Sequence, residues 1–428
     1  MIENLTLKNF KSIQDDRIEF RPLTIFTGPN SSGKSNIVQS IAIISQIARA
    51  ASTSALSFTE HLENDFAEYY KFPKPSIEFV VYKGELEREV KIEINILSGI
   101  SKRSIGYSIG YTSEQMRTEQ ILFVNHHPFV HTTFATSEAF VNSMFKHPLR
   151  WKGEKTEEFA RVLLRPNVFL LPKEIIAGKK SSEARALDLH LRDRTTSLVN
   201  ELTKELGKIY LISAPRGIIS METQAGPDPS WVGKNGEYLI YVLSKIYGKS
   251  RYKSIQQKIS SWSERFGLGY IAAGLKKGAI LGADFEDPTL KAVFDMNSAS
   301  YGSRQLLTII TQIFWSKPSD VLLIEEPEIS LHPESQVLIQ ELFAEAISNN
   351  KQIICTTHSP SFILSLSKVI GKKILSKDDV AVYHVEKGTE GTKTRRLQLN
   401  DRGFVIGWIP SYIKIENELF NEWAGQLD

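Results

Sequence analysis

The stretch TGPNSSGKSN, residues 27–36, constrains this chain more than any other part of its sequence. From Gly28 to Ser35 it fills every fixed position of the pattern G-x-x-x-x-G-K-[ST], which is typical of loops that hold nucleotide phosphates. Glycines let successive backbone N–H groups point into one anion-sized hollow, and the following helix adds its positive N-terminal end. We expect Lys34 to contact the β- and γ-phosphates of ATP and the Ser35 hydroxyl to ligate Mg²⁺. The alternative is a glycine-rich turn that binds no ligand.

The segments on both sides of this loop provide the setting that phosphate binding needs. ENLTLKNF and DRIEFRPLTIFTG alternate or run apolar with β-branched and aromatic residues, which predicts two strands before the loop. Beyond it, apolar residues recur at helical spacing, at Ile37, Ile41, Ile44 and Ala48. The loop is therefore predicted to join a strand to a helix in an α/β fold.

A second element is VLLIEEPEISLHPES, residues 321–335, an apolar strand that ends in adjacent carboxylates. Neighbouring strand ends meet at the ligand in α/β sheets, so these acids can face Mg²⁺ and the γ-phosphate. We predict that Glu325 orients the metal, directly or through water, and that Glu326 polarises the attacking water as general base. Acids that merely end a strand in solvent are the alternative. The phosphate loop upstream and the strand-stopping Pro327 argue against it.

Two weaker signals accompany these elements. Ser300, Gly302 and Ser303 precede a predicted helix with one apolar face, so hydroxyls and a free backbone amide stand at a helix N-terminus that can bind an anion. His358 follows the apolar run IICTT, where an imidazole can hydrogen-bond a γ-phosphate or its attacking water. Each signal alone has an ordinary explanation, a helix cap or a solvated strand end.

The order of these segments predicts four parts in a chain of 428 residues, which suits one large domain with an inserted lobe, or two domains. Residues 1–136 hold the phosphate loop and an antiparallel β lobe. Residues 137–290 form a mostly helical insertion, with SEARALDLHLRDRTTSLVNELTKEL and SIQQKISSWSERF as its strongest helices. Residues 291–370 complete the α/β core, and residues 371–428 form a small β/α extension.

Composition excludes several classes of protein. A formal charge of +3, from 52 basic and 49 acidic residues, does not announce a nucleic-acid binder, although a local basic patch remains possible. The single cysteine, Cys355, rules out a disulfide framework and is expected to be a small buried hydrophobic residue. The sequence shows no signal-peptide pattern and no apolar run of roughly 20 residues. We therefore expect a cytoplasmic protein without a membrane partner.

Taken in order, the motifs resemble those of the ATP-binding-cassette ATPases, in the soluble branch that includes RecF, the SMC proteins and the OLD family. NFKS is similar to the N-terminal motif of that branch, GPNSSGKS to its Walker A, SYGSRQ to its signature, IEEPEISLHP to its Walker B and D-loop, and TTHSP to its switch histidine. SAPRG and WVGKNGE resemble OLD-like ATPases less securely. The resemblance implies catalytic roles for Lys34, Glu326 and His358 and metal contacts for Ser35 and Glu325. It implies nucleotide contacts from Lys11, Ser12, Gly28, Pro29, Asn30, Ser31, Ser32, Gly33, Lys34, Ser35, Asn36, Ser300 and Gly302.

The same resemblance implies a homodimer with two composite ATP sites. The phosphate loop of one subunit faces the signature of the other, so Ser300 and Gly302 would act in trans, whereas the alternative is a nucleotide-binding monomer. Ser31 replaces the usual glycine, which costs backbone freedom. Glu325 stands where many of these ATPases have aspartate, as also happens in the OLD-like branch. We assign no Q-loop glutamine.

Missing features narrow the resemblance to stand-alone OLD-like ATPases, including the ATPase half of some two-component antiphage systems. The middle segment lacks the heptads of an SMC coiled coil, and roughly seventy residues after His358 are too few for a Toprim nuclease domain. The leading prediction is a Mg²⁺-dependent ATPase whose dimer clamp acts on nucleic acid, DNA rather than RNA, or on a partner nuclease or effector. One alternative is an ATP-bound interaction module with little turnover. The signature motif argues against a phosphotransferase.

Three smaller features each have a functional explanation and an ordinary structural one. The histidines of HHPFVH could hold a metal, but neighbouring histidines point to opposite faces of a strand and no Cys or acid completes the set. KTRRLQL and AGKKSSEAR could contact nucleic acid or simply be solvated. Trp408 and Trp423 could dock a partner or pack into a core or dimer surface.

Overall fold

The computed structural model describes residues 1–50, 82–85, 87–112, 117–135, 145–149, 160–164, 172–176, 197–217, 229–276, 280–407, 418 and 421–422. Its strands are β1 (Ile2–Phe10), β2 (Ile13–Glu19), β3 (Leu23–Thr27), β4 (Val90–Leu97), β5 (Ser104–Thr112), β6 (Arg117–Val124), β7 (His127–Ala135), β8 (Phe145–Leu149), β9 (Ala160–Leu164), β10 (Pro172–Ile176), β11 (Ile209–Ile212), β12 (Tyr270–Leu275), β13 (Leu281–Glu286), β14 (Val293–Asp295), β15 (Val321–Glu325), β16 (Gln352–Thr357), β17 (Val380–Gly388), β18 (Gly391–Leu399) and β19 (Val405–Ile406). Its α-helices are α1 (Lys34–Ala50), α2 (197–206), α3 (Leu239–Gly248), α4 (Lys253–Arg265), α5 (Tyr301–Trp315), α6 (Pro333–Ser348), α7 (Pro360–Leu364) and α8 (Leu366–Gly371). Short 3₁₀ turns cover Tyr82–Gly84, Ser250–Tyr252, Met296–Ser298 and Lys377–Asp379.

One sheet organises most of the described chain. Its strand order is β11-β15-β16-β3-β17-β18-β2-β1-β4-β5-β6-β7, and β19 pairs with β18. The strands from β11 to β17 in this order run parallel, whereas β2, β1 and β4 to β7 form an antiparallel run. The predicted α/β core with an antiparallel β lobe is confirmed.

The parallel strands are buried on both faces, as their nearly continuous apolar sequences require. In β15, Val321 and Leu323 belong to one hydrophobic cluster and Leu322 and Ile324 to the other, because successive side chains of a strand point to opposite faces. Helices α1 and α2 cover the first face. Helices α3 to α8 cover the second. This two-sided burial fixes the register of the strands whose ends carry the candidate site.

The middle of the chain is more mixed than the predicted helical insertion. Helix α4 confirms the prediction for SIQQKISSWSERF, and α2 confirms the last ten residues, 197–206, of the longer predicted helix. Residues 137–290 also contain strands β8 to β13, of which β11 pairs in parallel with β15 at the edge of the large sheet. Strands β12 and β13 form a hairpin whose glycines and alanines give a weak strand signal. The four-part division of the chain stays a prediction.

The two predicted C-terminal strands are confirmed as β17 and β18, and both belong to the large sheet. Strand β17 pairs with β3, and β18 pairs with β2 through Thr392 and Ile13. The helix predicted after them, with Trp408 and Trp423, falls almost wholly outside the described residues. In the part of the chain that the structure describes, no helix combines the length and apolar character that a membrane span requires.

Candidate nucleotide-binding site

The glycine-rich stretch is a loop between the end of β3 and the start of α1, as predicted. Gly28 and Gly33 have φ values of 148° and 107°, a backbone conformation that side chains disfavour. A Cβ at Gly28 would also overlap the carbonyl oxygen of Val385, and one at Gly33 would lie 2.5 Å from Thr392 Oγ1. Glycine is therefore required at both positions by backbone conformation and by the strands packed beside the loop.

Lys34 lies inside this loop with 5% of its surface exposed. Its Nζ donates hydrogen bonds to the carbonyl oxygens of Gly28 at 2.9 Å and Pro29 at 2.8 Å. Burial lowers the pKa of Lys34 to about 8, although Glu326 and Glu328 act in the opposite direction. A buried ammonium whose pKa is lowered gains stability from a bound anion, so the loop fits the phosphates of a nucleotide.

Ser12 and Thr392, from two distant parts of the chain, hydrogen-bond each other and contact the phosphate loop and the first turn of α1. Ser12 Oγ accepts a hydrogen bond from Asn36 Nδ2 at 2.8 Å and lies 2.7 Å from Thr392 Oγ1. Thr392 Oγ1 donates to the carbonyl oxygen of Ser32 at 2.6 Å. Lys11, next to Ser12, hydrogen-bonds Gln39 of α1. The predicted contacts of Lys11 and Ser12 with nucleotide stay predictions, since both side chains contact the loop's own helix.

The two carboxylates end β15 at the same edge of the sheet. Glu325 is the last residue of the strand and has 2% exposure. Glu326 follows with φ of 45°, and its N–H donates to the carbonyl oxygen of Thr356 at 3.0 Å. This left-handed conformation is costly for a residue with a side chain. It therefore needs support from its surroundings.

Arg216 supplies that support from the loop after β11. Its Nη1 donates to the carbonyl oxygen of Glu325 at 2.6 Å and its Nη2 donates to that of Glu326 at 2.8 Å. The side chain has 0% exposure, and burial lowers the pKa of Arg216 to about 10. Several nearby acidic groups oppose this change, and Glu328 has the largest opposing effect. Arg216 stays charged at neutral pH. The sequence signal was SAPRG, which did not reveal the role of its arginine.

His358 and Glu328 stand beside Glu326. His358 Nε2 lies 3.6 Å from Glu326 Oε1, and the backbone N–H of His358 donates to Glu328 Oε1 at 2.9 Å. Thr357 Oγ1 donates to the same oxygen at 2.6 Å. Burial lowers the pKa of His358, the charge of Lys34 lowers it further, and the two glutamates oppose the change. The imidazole is therefore neutral at pH 7. Glu328 was missed in the sequence, where only its nearness to Glu326 hinted at a role.

Among the described residues, the buried polar atoms at this edge that lack a hydrogen-bond partner include Thr27 Oγ1, Glu328 Oε2 and Arg216 Nε. A buried polar atom of this kind can be paired by water or by a polar ligand. Ser35 lies in the first turn of α1 and is half-buried. Within the described ranges no three His, Cys, Asp or Glu side chains form a metal cage. Mg²⁺ commonly binds one or two protein ligands and substrate phosphates and needs no such cage, and the metal contacts of Ser35 and Glu325 stay predictions.

Ser300 and Gly302 lie at the exposed N-terminus of α5. Ser300 is the N-cap, and its Oγ accepts a hydrogen bond from the Ser303 N–H at 3.1 Å. A Cβ at Gly302 would lie 2.6 Å from the carbonyl oxygen of Ser330, in the loop that follows the two acids. The signature motif thus packs against the segment IEEPEISLHP, while the Ser300 side chain remains exposed.

Three predicted elements therefore meet in one subunit. Strands β15, β16 and β3 are adjacent and parallel, so Glu326, His358 and the loop that holds Lys34 come together at their carboxyl ends. Ser31 is exposed and has φ of 60°, a backbone conformation that a glycine adopts more readily. Of HHPFVH, His126 and His127 are exposed, and the side chain of His131 lies outside the described part.

Comparisons with known proteins agree with this geometry. A family model described as an AAA ATPase domain matches residues 1–363. The structure of an Smc head bound to the C-winged helix domain of ScpA superposes with TM-score 0.50 at 14% identity, covering 93% of this chain and 98% of that chain. The SMC head domain from Thermotoga maritima gives 0.42 at 13%, with 93% and 99% covered. The Smc head with an extended coiled coil from Pyrococcus furiosus, bound to the C-terminal domain of ScpA, gives 0.48 at 14%, with 98% and 99% covered. No curated protein matches the sequence significantly.

Proposed function

This chain belongs to the AAA ATPase domain family, and from that premise we propose that it is a Mg²⁺-dependent ATPase that works as a homodimer. In this proposal, ATP binding closes the dimer and hydrolysis opens it. The cycle acts on nucleic acid or on a partner effector protein in the cytoplasm. The family and the SMC-head fold already support ATP binding and hydrolysis.

One observation carries the proposal: the Lys34 loop, Glu326 and His358 converge at the carboxyl ends of β3, β15 and β16. Lys34 supplies positive charge for the phosphates. Glu326 is the general base for water, because it is partly exposed and lies beside a neutral imidazole. Mg²⁺, when bound, neutralises phosphate charge, and Ser35 and Glu325 are its proposed protein contacts.

The exposed position of Ser300 supports a second subunit. The signature N-terminus presents a hydroxyl and free amides to solvent, which suits a phosphate that arrives from outside the subunit. Its contact with Ser330 places the signature motif beside the loop that follows Glu326. We propose that the γ-phosphate held by one subunit meets Ser300 and Gly302 of the other.

For the load, we propose nucleic acid or a partner protein, in the manner of stand-alone OLD-like ATPases. The motifs named above support that branch by resemblance. A nuclease encoded by the gene next to that of this chain would fit the arrangement of a two-component antiphage system. The Smc heads in the matched structures bind ScpA, and a partner protein of this chain is a proposal by analogy.

The decisive experiment replaces Glu326 with Gln and makes two measurements. Steady-state kinetics give the rate of ATP turnover, and light scattering gives the molar mass of the protein, which distinguishes monomer from dimer. Turnover is expected to fall at least 100-fold, since a general base contributes roughly 10²- to 10⁴-fold. The variant is expected to accumulate as an ATP-bound dimer, because the amide retains the shape of the site but cannot take the proton.

The matched control is Glu334→Gln, which removes a carboxylate that is exposed in the first turn of α6. It should leave turnover unchanged. An unchanged rate in Glu326→Gln would favour an ATP-bound switch with little turnover. A monomeric Glu326→Gln protein with ATP bound would refute the dimer.

A further inference from the structure

Four cations gather where α3 meets α4, and we call this surface the α3–α4 corner: Lys245, Lys249, Arg251 and Lys253. Lys245 lies in the last turn of α3, and Lys249 caps that helix. Arg251 lies in the 3₁₀ turn, and Lys253 is the first residue of α4. Lys249, Arg251 and Lys253 are exposed.

No carboxylate offsets this charge locally in the sequence. Residues 238–263 contain no Asp or Glu, and neither do residues 301–319, which include the whole of α5. Helix α5 packs against both α3 and α4. The next cations along α4, Lys258 and Arg265, are paired with Glu345 and Glu341 of α6. Among described residues, Lys249, Arg251 and Lys253 have no ion-pair partner.

Stability does not account for the arrangement. Lys245 and Lys249 suit the negative end of α3, but Lys253 stands at the positive end of α4, where a cation is unfavourable. The first turn of α4 has no acidic residue, and its N-cap Tyr252 makes no side-chain capping bond. Three exposed cations within five residues also repel one another. A chain that keeps such a group gains little from it unless an anion binds.

Aromatic rings hold two of the cations in position. Lys245 Nζ lies 5.4 Å from the ring centroid of Trp315, and Arg251 Cζ lies 4.7 Å from that of Tyr252. The two rings pack edge to face, 5.2 Å apart. Since the rings are half-buried and already covered by cations, they are poorly placed to stack on unpaired bases. Pre-ordered cations without a free stacking ring suit backbone phosphates instead.

We infer that the α3–α4 corner binds the phosphate backbone of double-stranded nucleic acid. The inference rests on the proposed function, because it makes nucleic acid the load of the ATPase. It adds the surface that receives this load, on helices distinct from the phosphate loop and separated from the signature end of α5 by the length of that helix.

The test is fluorescence anisotropy with a labelled 30-base-pair DNA duplex across a salt series. Four phosphate contacts predict a slope of log K against log salt near −3.6, or roughly a hundredfold loss of affinity from 50 to 200 mM salt. The triple variant Lys249→Gln, Arg251→Gln and Lys253→Gln should retain a slope near −1. Its binding at 50 mM salt should be at least tenfold weaker.

The matched control removes three other exposed cations, by Lys368→Gln, Lys372→Gln and Lys373→Gln near the end of α8. Both triple variants change the net charge equally. An unchanged slope in the corner variant, or the same loss in both variants, overturns the inference. Loss of binding to phosphatidylserine vesicles with unchanged DNA binding also overturns it, since the ligand would then be a lipid surface.

Two readouts keep the inference separate from folding and from the proposed function. If the triple variant does not fold, Arg251→Gln and Lys253→Gln are tested singly, and each should reduce the slope by about 1. ATP turnover without DNA should equal that of the unmodified protein. If the unmodified protein turns over ATP normally but its DNA binding does not depend on the α3–α4 corner, only the inference is refuted. If the unmodified protein shows no ATP turnover, the proposed function is refuted.

Discussion

Lys34 shows how burial of one ammonium group sets the working range of the site. Two carbonyl oxygens accept hydrogen bonds from its Nζ and two glutamates favour its charge, yet burial lowers the pKa of Lys34 to about 8. The charged form persists at neutral pH. It is lost under mildly alkaline conditions that leave an exposed lysine untouched.

This pKa predicts the alkaline limb of ATP hydrolysis. Because kcat/KM reports the free enzyme, it should fall as pH rises through about 8, when Lys34 loses the proton that phosphates require. Bound phosphates favour the charged form, so kcat should stay nearly constant over the same range. The measurement is a pH profile of both constants from pH 6 to 10.

His358→Gln is the control for this assignment. The alkaline limb should persist in that variant at reduced overall rate, because the pKa of His358 is lowered and its titration lies on the acid side. Disappearance of the limb would assign it to the histidine. If kcat falls with pH over the same range as kcat/KM, bound nucleotide does not keep Lys34 in its charged form.

Residue-scale prediction from sequence succeeded where the signal is local. The phosphate loop, its strand and its helix are contiguous, and Ser31, the one departure that the sequence shows there, has a positive φ that glycine adopts more readily. Arg216 and Thr392 could not be found in this way. Their partners lie 109 and 360 residues away, and nothing in a local pattern reports such a contact.

At the scale of elements, the hairpin of β17 and β18 is a wall of the phosphate loop. Val385 of β17 lies against Gly28, and Thr392 of β18 bonds Ser32 and Ser12. The local sequence pattern predicts these strands only as part of a C-terminal extension, because strand order depends on long-range pairing that local patterns do not contain. The same limit hid β11, the edge strand beside β15.

Thr392→Val tests the hairpin. The variant keeps the volume but leaves the Ser32 carbonyl and the Ser12 hydroxyl without this partner, which should cost about 1–3 kcal/mol of stability. KM for ATP should rise more than kcat falls, since the loop loses its position and no reacting group changes. Thermal unfolding and steady-state kinetics measure both effects.

Thr289→Val is the matched control at an exposed site, and it should alter neither quantity. If Thr392→Val lowers stability without changing KM, the hairpin supports the fold but does not position the loop.

Arg216→Lys tests the link between the loop after β11 and the end of β15. A lysine cannot donate in a fork to the carbonyls of Glu325 and Glu326, so the turn that carries the proposed general base should lose its alignment. We expect kcat to fall about tenfold to a hundredfold with little change in KM. Steady-state kinetics make the measurement.

Arg265→Lys gives a matched control, since Arg265 pairs with Glu341 on the surface of α6. It should leave both constants unchanged. Equal losses of kcat and of ATP affinity in Arg216→Lys would instead indicate collapse of the whole edge of the sheet.

At the scale of the whole molecule, the phosphate loop and the signature end of α5 are the two parts of one chain that the proposed composite sites would bring together across a dimer. Lys34 of the phosphate loop is buried in its own subunit, whereas Ser300 of the signature motif is exposed. A symmetric pair of subunits would form two complete sites from four halves.

Mixing two inactive variants tests this arrangement. Lys34→Ala damages the phosphate loop and Ser300→Arg damages the signature, so each homodimer should be inactive. A mixed dimer keeps one intact site, and an equimolar mixture should regain about a quarter of full turnover if subunits exchange freely and the sites are independent. Turnover of the mixture that equals the sum of the separate variants would contradict composite sites.

The contact between Thr392 and Ser32 also has a consequence for synthesis. The loop leaves the ribosome before Thr392, which follows Ser32 by 360 residues. At about 5–20 residues per second, that delay is roughly 20 to 70 seconds. A nascent chain therefore carries an unfinished nucleotide pocket throughout that interval, and two segments 360 residues apart must meet before the pocket is complete.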